Sequence, residues 1–375
     1  MATAAIDRER LLQQFLAFVQ VDSPSYHEAR FESLLCQELA ALGLAVRNDG
    51  TGRDGAGNLL AVLPGTDPSL PTIVIGTHVD TVEPGRGIKP RIVDGYVVAD
   101  GSTILGADNK SAVAGTLEAI RHLQATRPRH GDVEFLYTWG EELGLLGAAA
   151  FDASQLRSHF GFIADASQMA KVVTRGPYRS VLRATIIGKA AHAGGQADKG
   201  VNAIWAAAKA VAAMPLGQVD PETTANVGTI AGGDGINIVP ERATLESEAR
   251  SFDETKLERQ LGVMRATLEA GAAAVGARVE YTCERRYDGY HLADNSPPVR
   301  IALAALAGIG IAAYTGSSAG GTDANHLTAK GIPCVVVGTG YEEIHSKRER
   351  IAVEDVVRTA QLIVGLVEES ARQAC

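Results

Sequence analysis

The stretch VEFLYTWGEELGLLGA, residues 133–148, carries a largely apolar run straight into two adjacent acids, Glu141 and Glu142, just after Gly140. A short apolar run of this kind marks a strand buried on both faces, as in a parallel sheet covered by helices. Carboxylates in contact repel and raise each other's pKa. Two of them at the mouth of a buried strand therefore call for solvent, a cation, or a division of labour.

The same pattern recurs outward along the chain. TIVIGT (72–77), GFIAD (161–165) and CVVVGTG (334–340) are further apolar strands. NKSAVAGTLEAIRHLQAT (109–126) and residues 351–373 have helical periodicity, as do 6–19 and 26–43, where Leu34, Leu35, Leu39 and Leu42 share one face and Gly43 ends the helix. The alternation predicts an α/β fold, a mostly parallel sheet with helices on both faces. The middle differs. YRSVLRATIIGKA (178–190) alternates like a half-exposed strand, and a helix near 200–213, strands near 224–232 and 238–250, a helix near 253–275 and the strand RVEYTCER (278–285) come after it. That order, βαββαβ, is ferredoxin-like. It predicts an α+β domain over 178–288 inserted into a discontinuous domain of 1–177 and 289–375. Gly176-Pro177 and Asp288-Gly289 are the expected hinges.

Composition narrows the partners. The chain has 375 residues, 46% hydrophobic and 21% charged, with a net charge of -9. That charge disfavours nucleic acid and anionic membranes. Cys36, Cys283, Cys334 and Cys375 lack the spacing of a metal knuckle or a secreted disulfide framework, so all four are expected reduced, with Cys334 in a buried strand. The first residues lack the basic-then-apolar pattern of a signal peptide, and no apolar run reaches transmembrane length, so a cytoplasmic location is expected.

Acids and histidines cluster just past the apolar strands. His78 and Asp80 follow TIVIGT, Glu141 and Glu142 follow VEFLYTWG, Asp165 ends GFIAD, His345 follows CVVVGTG, and Asp108 sits in a turn that opens a helix. The carboxyl ends of parallel strands lie along one edge of an open sheet, and ligands bind there. Distant residues would thus meet in one crevice. Singly, each has a plainer explanation: a solvated histidine, a helix cap at Asp108, a surface pair of glutamates. Together, two imidazoles and several carboxylates suit a pair of borderline divalent metals, zinc first, then cobalt or manganese. His27, His122, His130, His159, His291 and His326 lack such placement and are assigned no role.

THVDTV, GADNKSAVAG, TWGEELGLLGA, FIADAS and the closing GTDAN…GTGYEEIHS resemble the two-metal peptidase and aminoacylase family, which includes peptidase T, glutamate carboxypeptidase, acetylornithine deacetylase and succinyl-diaminopimelate desuccinylase. The segment GGTDANHLTAKGIPCVVVGTGYEEIHS is most similar to the peptidase T-like branch. The resemblance covers nearly the whole chain and implies a role for each matching residue. His78, Asp108 and Asp165 would hold one metal; His345, Asp108 and Glu142 the other, with Asp108 bridging. Glu141 would be the general base and Asp80 the support of His78. The implied substrate is a di- or tripeptide, with N-acyl amino acids, acetyl or succinyl, as the alternative. In the inserted domain, His192 would stabilise the oxyanion, in its own or a dimer partner's site, while Asn237 and Arg250 would bind substrate. A homodimer through that domain is also implied. Two departures stand out: Asn109 where the family often has aspartate, and Asp165-Ala166 where Asp-Gly is common.

Two other motifs compete. Gly316-Ser317-Ser318-Ala319-Gly320 fits G-x-S-x-G, with Asp323 and His345 in the order of a serine hydrolase using Ser318, but it lies in a Gly/Ser loop lacking strand–turn–helix context. Gly50–Gly55 fits G-x-G-x-x-G but precedes an apparent strand, GNLLAVLPG, where a dinucleotide site needs a helix. A binding protein that had lost catalysis would lack Glu141 or a ligand, and none is missing.

Overall fold

A computed structural model describes residues 6–374. The chain forms two compact units, one running up to Thr174 and resuming at His291, the other Arg175–Tyr290. The division falls near, not at, 177 and 288. Strand Lys171–Gly176 runs almost directly into strand Tyr178–Ile187 through Pro177, so the punctuating proline does not mark where packing changes.

In the first unit, a mixed sheet has at its centre four parallel strands in the order Val133–Thr138, Ile73–His78, Phe160–Ala166, Cys334–Gly338. Every residue of Ile73–His78, Val133–Thr138 and Cys334–Gly338 is buried, which is why these segments read as continuous apolar runs. Antiparallel strands flank this core: Leu59–Leu63 and Val46–Asn48 on one side, Lys171–Gly176 on the other. Helices cover the sheet on both faces. Ala107–Thr126 packs on Val353–Gln373 and Arg8–Val19, and Leu146–Ala150 on Asp323–Ala329. A small antiparallel sheet of Arg91–Val93, Tyr96–Val98, Tyr341–Glu342 and Arg350–Ala352 lies apart from the main one; its strands are too short to show a period. Residues 50–55 lie in the loop between antiparallel strands Val46–Asn48 and Leu59–Leu63, so no helix N-terminus comes after the glycines.

The second unit is ferredoxin-like. Its antiparallel sheet has the order Gly217–Asp220, Thr223–Gly232, Arg242–Ser251, Tyr178–Ile187, Arg278–Tyr287. Helices Ala203–Ala213 and Glu254–Ala273 bury Leu182, Ile186, Leu245, Leu257, Leu261 and Met264 against the sheet. Strand Gly217–Asp220 was not expected; it is a short, largely exposed hairpin arm with no apolar signal.

Cys36, Cys283 and Cys334 are free thiols, and Cys334 is buried; Cys375 lies outside the described residues. Among the described residues, no helix is long and apolar enough to cross a membrane.

Candidate metal centre

Parallel strands deliver the first residues. His78 ends Ile73–His78, and Asp165 is the penultimate residue of Phe160–Ala166. Past Thr138 the chain turns at Gly140, whose φ of 58° lies in the left-handed region that glycine enters freely, and Glu141–Leu143 form one 3₁₀ turn. Asp108 lies at the head of Ala107–Thr126, where it and Asn109 are not yet helical. His345 follows the short strand Tyr341–Glu342 and itself has φ 58°.

These side chains converge. His78 Nε2 lies 3.0 Å from Asp108 Oδ1 and 3.5 Å from Asp165 Oδ1. His345 Nε2 lies 3.0 Å from Glu142 Oε2 and 3.7 Å from Asp108 Oδ2. The two oxygens of Asp108 thus face two different imidazoles. One ligand atom each from His78, Asp108 and Glu142 falls within 4.8 Å of the others. Imidazole nitrogens and carboxylate oxygens gathered this closely are a donor set for zinc or a similar divalent ion.

The electrostatics point the same way. Burial, reinforced by Asp165, pushes Glu141 well above the usual carboxylate range, and burial lifts Glu142 to about 7. Asp165 is raised by burial too. Asp108 moves oppositely: burial opposes ionisation, but hydrogen bonds from His345 and His78 hold it at about 2. His345 rises to about 10 through its bonds to Asp108 and Glu142. Burial disfavours a charged His78, yet the charge of Asp165 and the bond to Asp108 carry it well above its ordinary value. Oxygens that favour a protonated imidazole this strongly favour a divalent cation in the proton's place.

Asp80 serves two ends. Its backbone oxygen lies 3.1 Å and its carboxylate Oδ1 3.3 Å from His78 Nδ1. The carboxylate also accepts the backbone N–H of Glu141 at 3.0 Å and of Glu142 at 3.2 Å, and Ser25 Oγ donates to it at 2.6 Å. It therefore orients the His78 ring and fixes the turn bearing both glutamates. Asn109 Nδ2 and Tyr341 Oη donate to Asp165 Oδ1, each at 3.0 Å. The amide at position 109 thus supplies a donor where a second aspartate would add charge. Ser25 and Tyr341 went unnoticed in the sequence because a hydroxyl bonding across the fold leaves no local pattern.

Beside the cluster lies a cleft of about 250 Å³, lined by Asp108, Glu141, Glu142, Asp165, Tyr341 and His345, among others. Ser318 also lines it, but its Oγ accepts from Gly320 N at 3.2 Å. His345 faces Glu142 and Asp108, and Asp323 takes the hydroxyl of Thr138. The Ser318–His345–Asp323 relay is not assembled.

In the second unit, His192 lies in the loop after Tyr178–Ile187, bridged to Ile238, with Ala193 N donating to Asn237 O at 3.0 Å. His192 and Asn237 are neighbours. His192 Nδ1 accepts from Gly194 N and Gly195 N, at 3.1 and 3.0 Å. Arg250 lies away from them on Arg242–Ser251, with Nε 3.0 Å from Glu248 Oε1; Arg179 Nη2 meets Glu248 Oε2 at 2.6 Å.

Residues 74–369 match peptidase family M20/M25/M40, and the chain belongs to that family of peptidases. It is 42% identical over 371 residues to an uncharacterized protein, YqjE, of Bacillus subtilis (strain 168), covering 98% of this chain and 100% of that one. Aminopeptidase PepT from Bacillus cereus ATCC 10987 superposes with a TM-score of 0.89 at 42% identity, over 98% of this chain and 99% of that one. A tripeptidase from Staphylococcus aureus subsp. aureus mu50 superposes with a TM-score of 0.93 at 38% identity, over 99% of this chain and 100% of that one.

Proposed function

We propose that this peptidase is a metal-dependent aminopeptidase of small peptides, tripeptides foremost, with the cluster at Asp108 as its reaction centre. The observation that carries the proposal is the division of the Asp108 carboxylate, Oδ1 toward His78 and Oδ2 toward His345. It supports two half-sites sharing one bridge: His78, Asp108 and Asp165 for one cation, Asp108, Glu142 and His345 for the other. Zinc fits this donor set best, with cobalt or manganese able to replace it. Divalent cations held by these residues would supply Lewis-acid polarisation of the scissile carbonyl and would bring the pKa of a bound water down toward about 7.

The chain's own groups do the rest. Glu141 takes the proton from the attacking water and hands it to the leaving amine. Asp80 holds the Glu141–Glu142 turn so that one glutamate faces the reacting water and the other a cation. In the inserted unit, His192, Asn237 and Arg250 are the proposed substrate-binding residues. With two amides donating to Nδ1, the neutral His192 ring keeps its proton on Nε2, the form that can donate to a developing oxyanion. Arg250 offers its planar fork to the peptide's carboxylate, in exchange for Glu248. Exposed Trp205, Ile230, Ile236 and Ile238 on this unit support the homodimer the resemblance implies.

The test is a substrate panel. The zinc-loaded protein is assayed against di- and tripeptides with free amino ends, and against N-acetyl and N-succinyl amino acids. Tripeptide hydrolysis that disappears in chelator and returns with zinc is the expected result. Hydrolysis of acylated amino acids alone would transfer the assignment to a deacylase. Tripeptide activity that survives exhaustive chelation would end the metal-dependent account.

A further inference from the structure

Asp108 reaches the centre from the non-helical head of Ala107–Thr126, not from a sheet strand, and the side chain of Glu349, distant in sequence, holds the backbone there. Glu349 is 2% exposed. Its Oε2 accepts Leu105 N and Gly106 N, both at 2.8 Å, and its Oε1 accepts Asp108 N at 3.0 Å. Three backbone N–H groups converging on one carboxylate form an anion nest filled by the protein itself. Glu349 comes four residues after His345, and its own N–H closes a turn onto Ser346 O at 3.0 Å. The next residues pair as strand Arg350–Ala352 with Tyr96–Val98. His345 itself holds a left-handed φ of 58°, uncommon for a residue with a side chain, so its segment must be held by its surroundings. One carboxylate therefore ties together the two loops that present Asp108 and His345. Glu349 is absent from the residues lining the cleft, so it acts through backbone and not on substrate.

We infer that Glu349 is a positioning residue for one half of the centre: it sets the span between Asp108 and His345 and thereby the cation affinity of the Asp108–Glu142–His345 half-site. This inference rests on the two-cation proposal. Of the other half-site's residues, His78 and Asp165 come from sheet strands that Glu349 does not touch and only Asp108 is shared, so it is affected less than the half-site that also depends on His345. Chemistry selects a carboxylate here. Glutamine in its place would turn an NH₂ group toward amides that need an acceptor.

The experiment compares wild type with Glu349→Gln by zinc titration against a competing chromophoric chelator, with thermal melts of both metal-free proteins. Wild type is expected to bind two equivalents. In the variant, one equivalent is expected to weaken about 10–100-fold, the range for groups that orient metal ligands, while the other holds. Crystals of the variant with one zinc equivalent should show anomalous signal beside His78 and Asp165 and none beside His345. Arg348→Ala, at an exposed residue paired with Glu343, should retain both equivalents. Should Glu349→Gln fail to fold, Glu349→Asp keeps the charge but withdraws it by one methylene, and the same one-sided loss is expected. Two unaltered equivalents would overturn the inference. So would equal weakening of both together with a lower melting temperature, which would make Glu349 a support of the fold alone. A wild-type protein that binds fewer than two equivalents would overturn the parent proposal, and with it this one, before any variant is made.

Discussion

Replacing Glu141 by glutamine is expected to lower kcat on a tripeptide by about 10³–10⁴-fold, the upper range for loss of a general base, while two zinc equivalents stay bound. Both halves of this expectation come from the turn at Gly140. Glu142 lies against His345, whereas among the described residues no close imidazole contact is formed by Glu141. Burial and Asp165 raise the Glu141 carboxyl well above its ordinary range, the kind of perturbation that clusters at functional sites. Glutamine keeps the shape but cannot take the proton. Steady-state kinetics with elemental analysis of the same sample checks the prediction. Turnover near wild type in the metal-replete variant would remove Glu141 from the role of base.

Asp108→Ala is expected to abolish activity by a different route, loss of the cations themselves. Each oxygen of Asp108 faces its own imidazole, so one substitution removes a ligand from both half-sites. That leaves His78 with Asp165, and Glu142 with His345, two protein donors each, below the three that catalytic zinc sites ordinarily use. Affinity should drop by more than about 10²-fold, beyond the loss seen when a ligand's supporting group is removed. The variant should leave gel filtration nearly metal-free. A second readout is thermal: zinc raises the melting temperature of a protein that binds it only when folded, and the variant should show no such rise. Full occupancy by elemental analysis would contradict the bridging role.

The architecture was legible because strands buried on both faces must be apolar throughout. TIVIGT and CVVVGTG announce themselves as strands, which places His78 at a carboxyl end; His345 comes later, past the short strand Tyr341–Glu342 that follows CVVVGTG. The ferredoxin-like order of the inserted unit was readable for a related reason: Tyr178–Ile187 buries Ser180, Leu182, Ala184 and Ile186 in strict alternation. Other features had no such trace. Strands Arg91–Val93 and Tyr341–Glu342 are too short to show a period, and their sheet is joined by the pairing of Arg350–Ala352 with Tyr96–Val98, far apart along the chain. Asp80 could be paired with His78 from its two-residue spacing, but its hold on the amides of Glu141 and Glu142 could not, since any backbone offers an N–H. The same applies to Glu349, whose sequence surroundings, SKRER, look like solvated charge. Arg250 was visible as a fork for carboxylate, and Glu248 lies two residues before it on the same strand; Arg179 beside them depends on strand register, which residue types alone do not specify.

The central claim is that Asp108 bridges two cations held by His78 and Asp165 on one side and Glu142 and His345 on the other. Diffraction data collected at the zinc absorption edge from crystals grown with zinc test it most directly. Two anomalous peaks about 3.5–4 Å apart, one on each side of the Asp108 carboxylate, are the predicted result. A map with no peak at Asp108, or with peaks only at other surfaces of the protein, would contradict it.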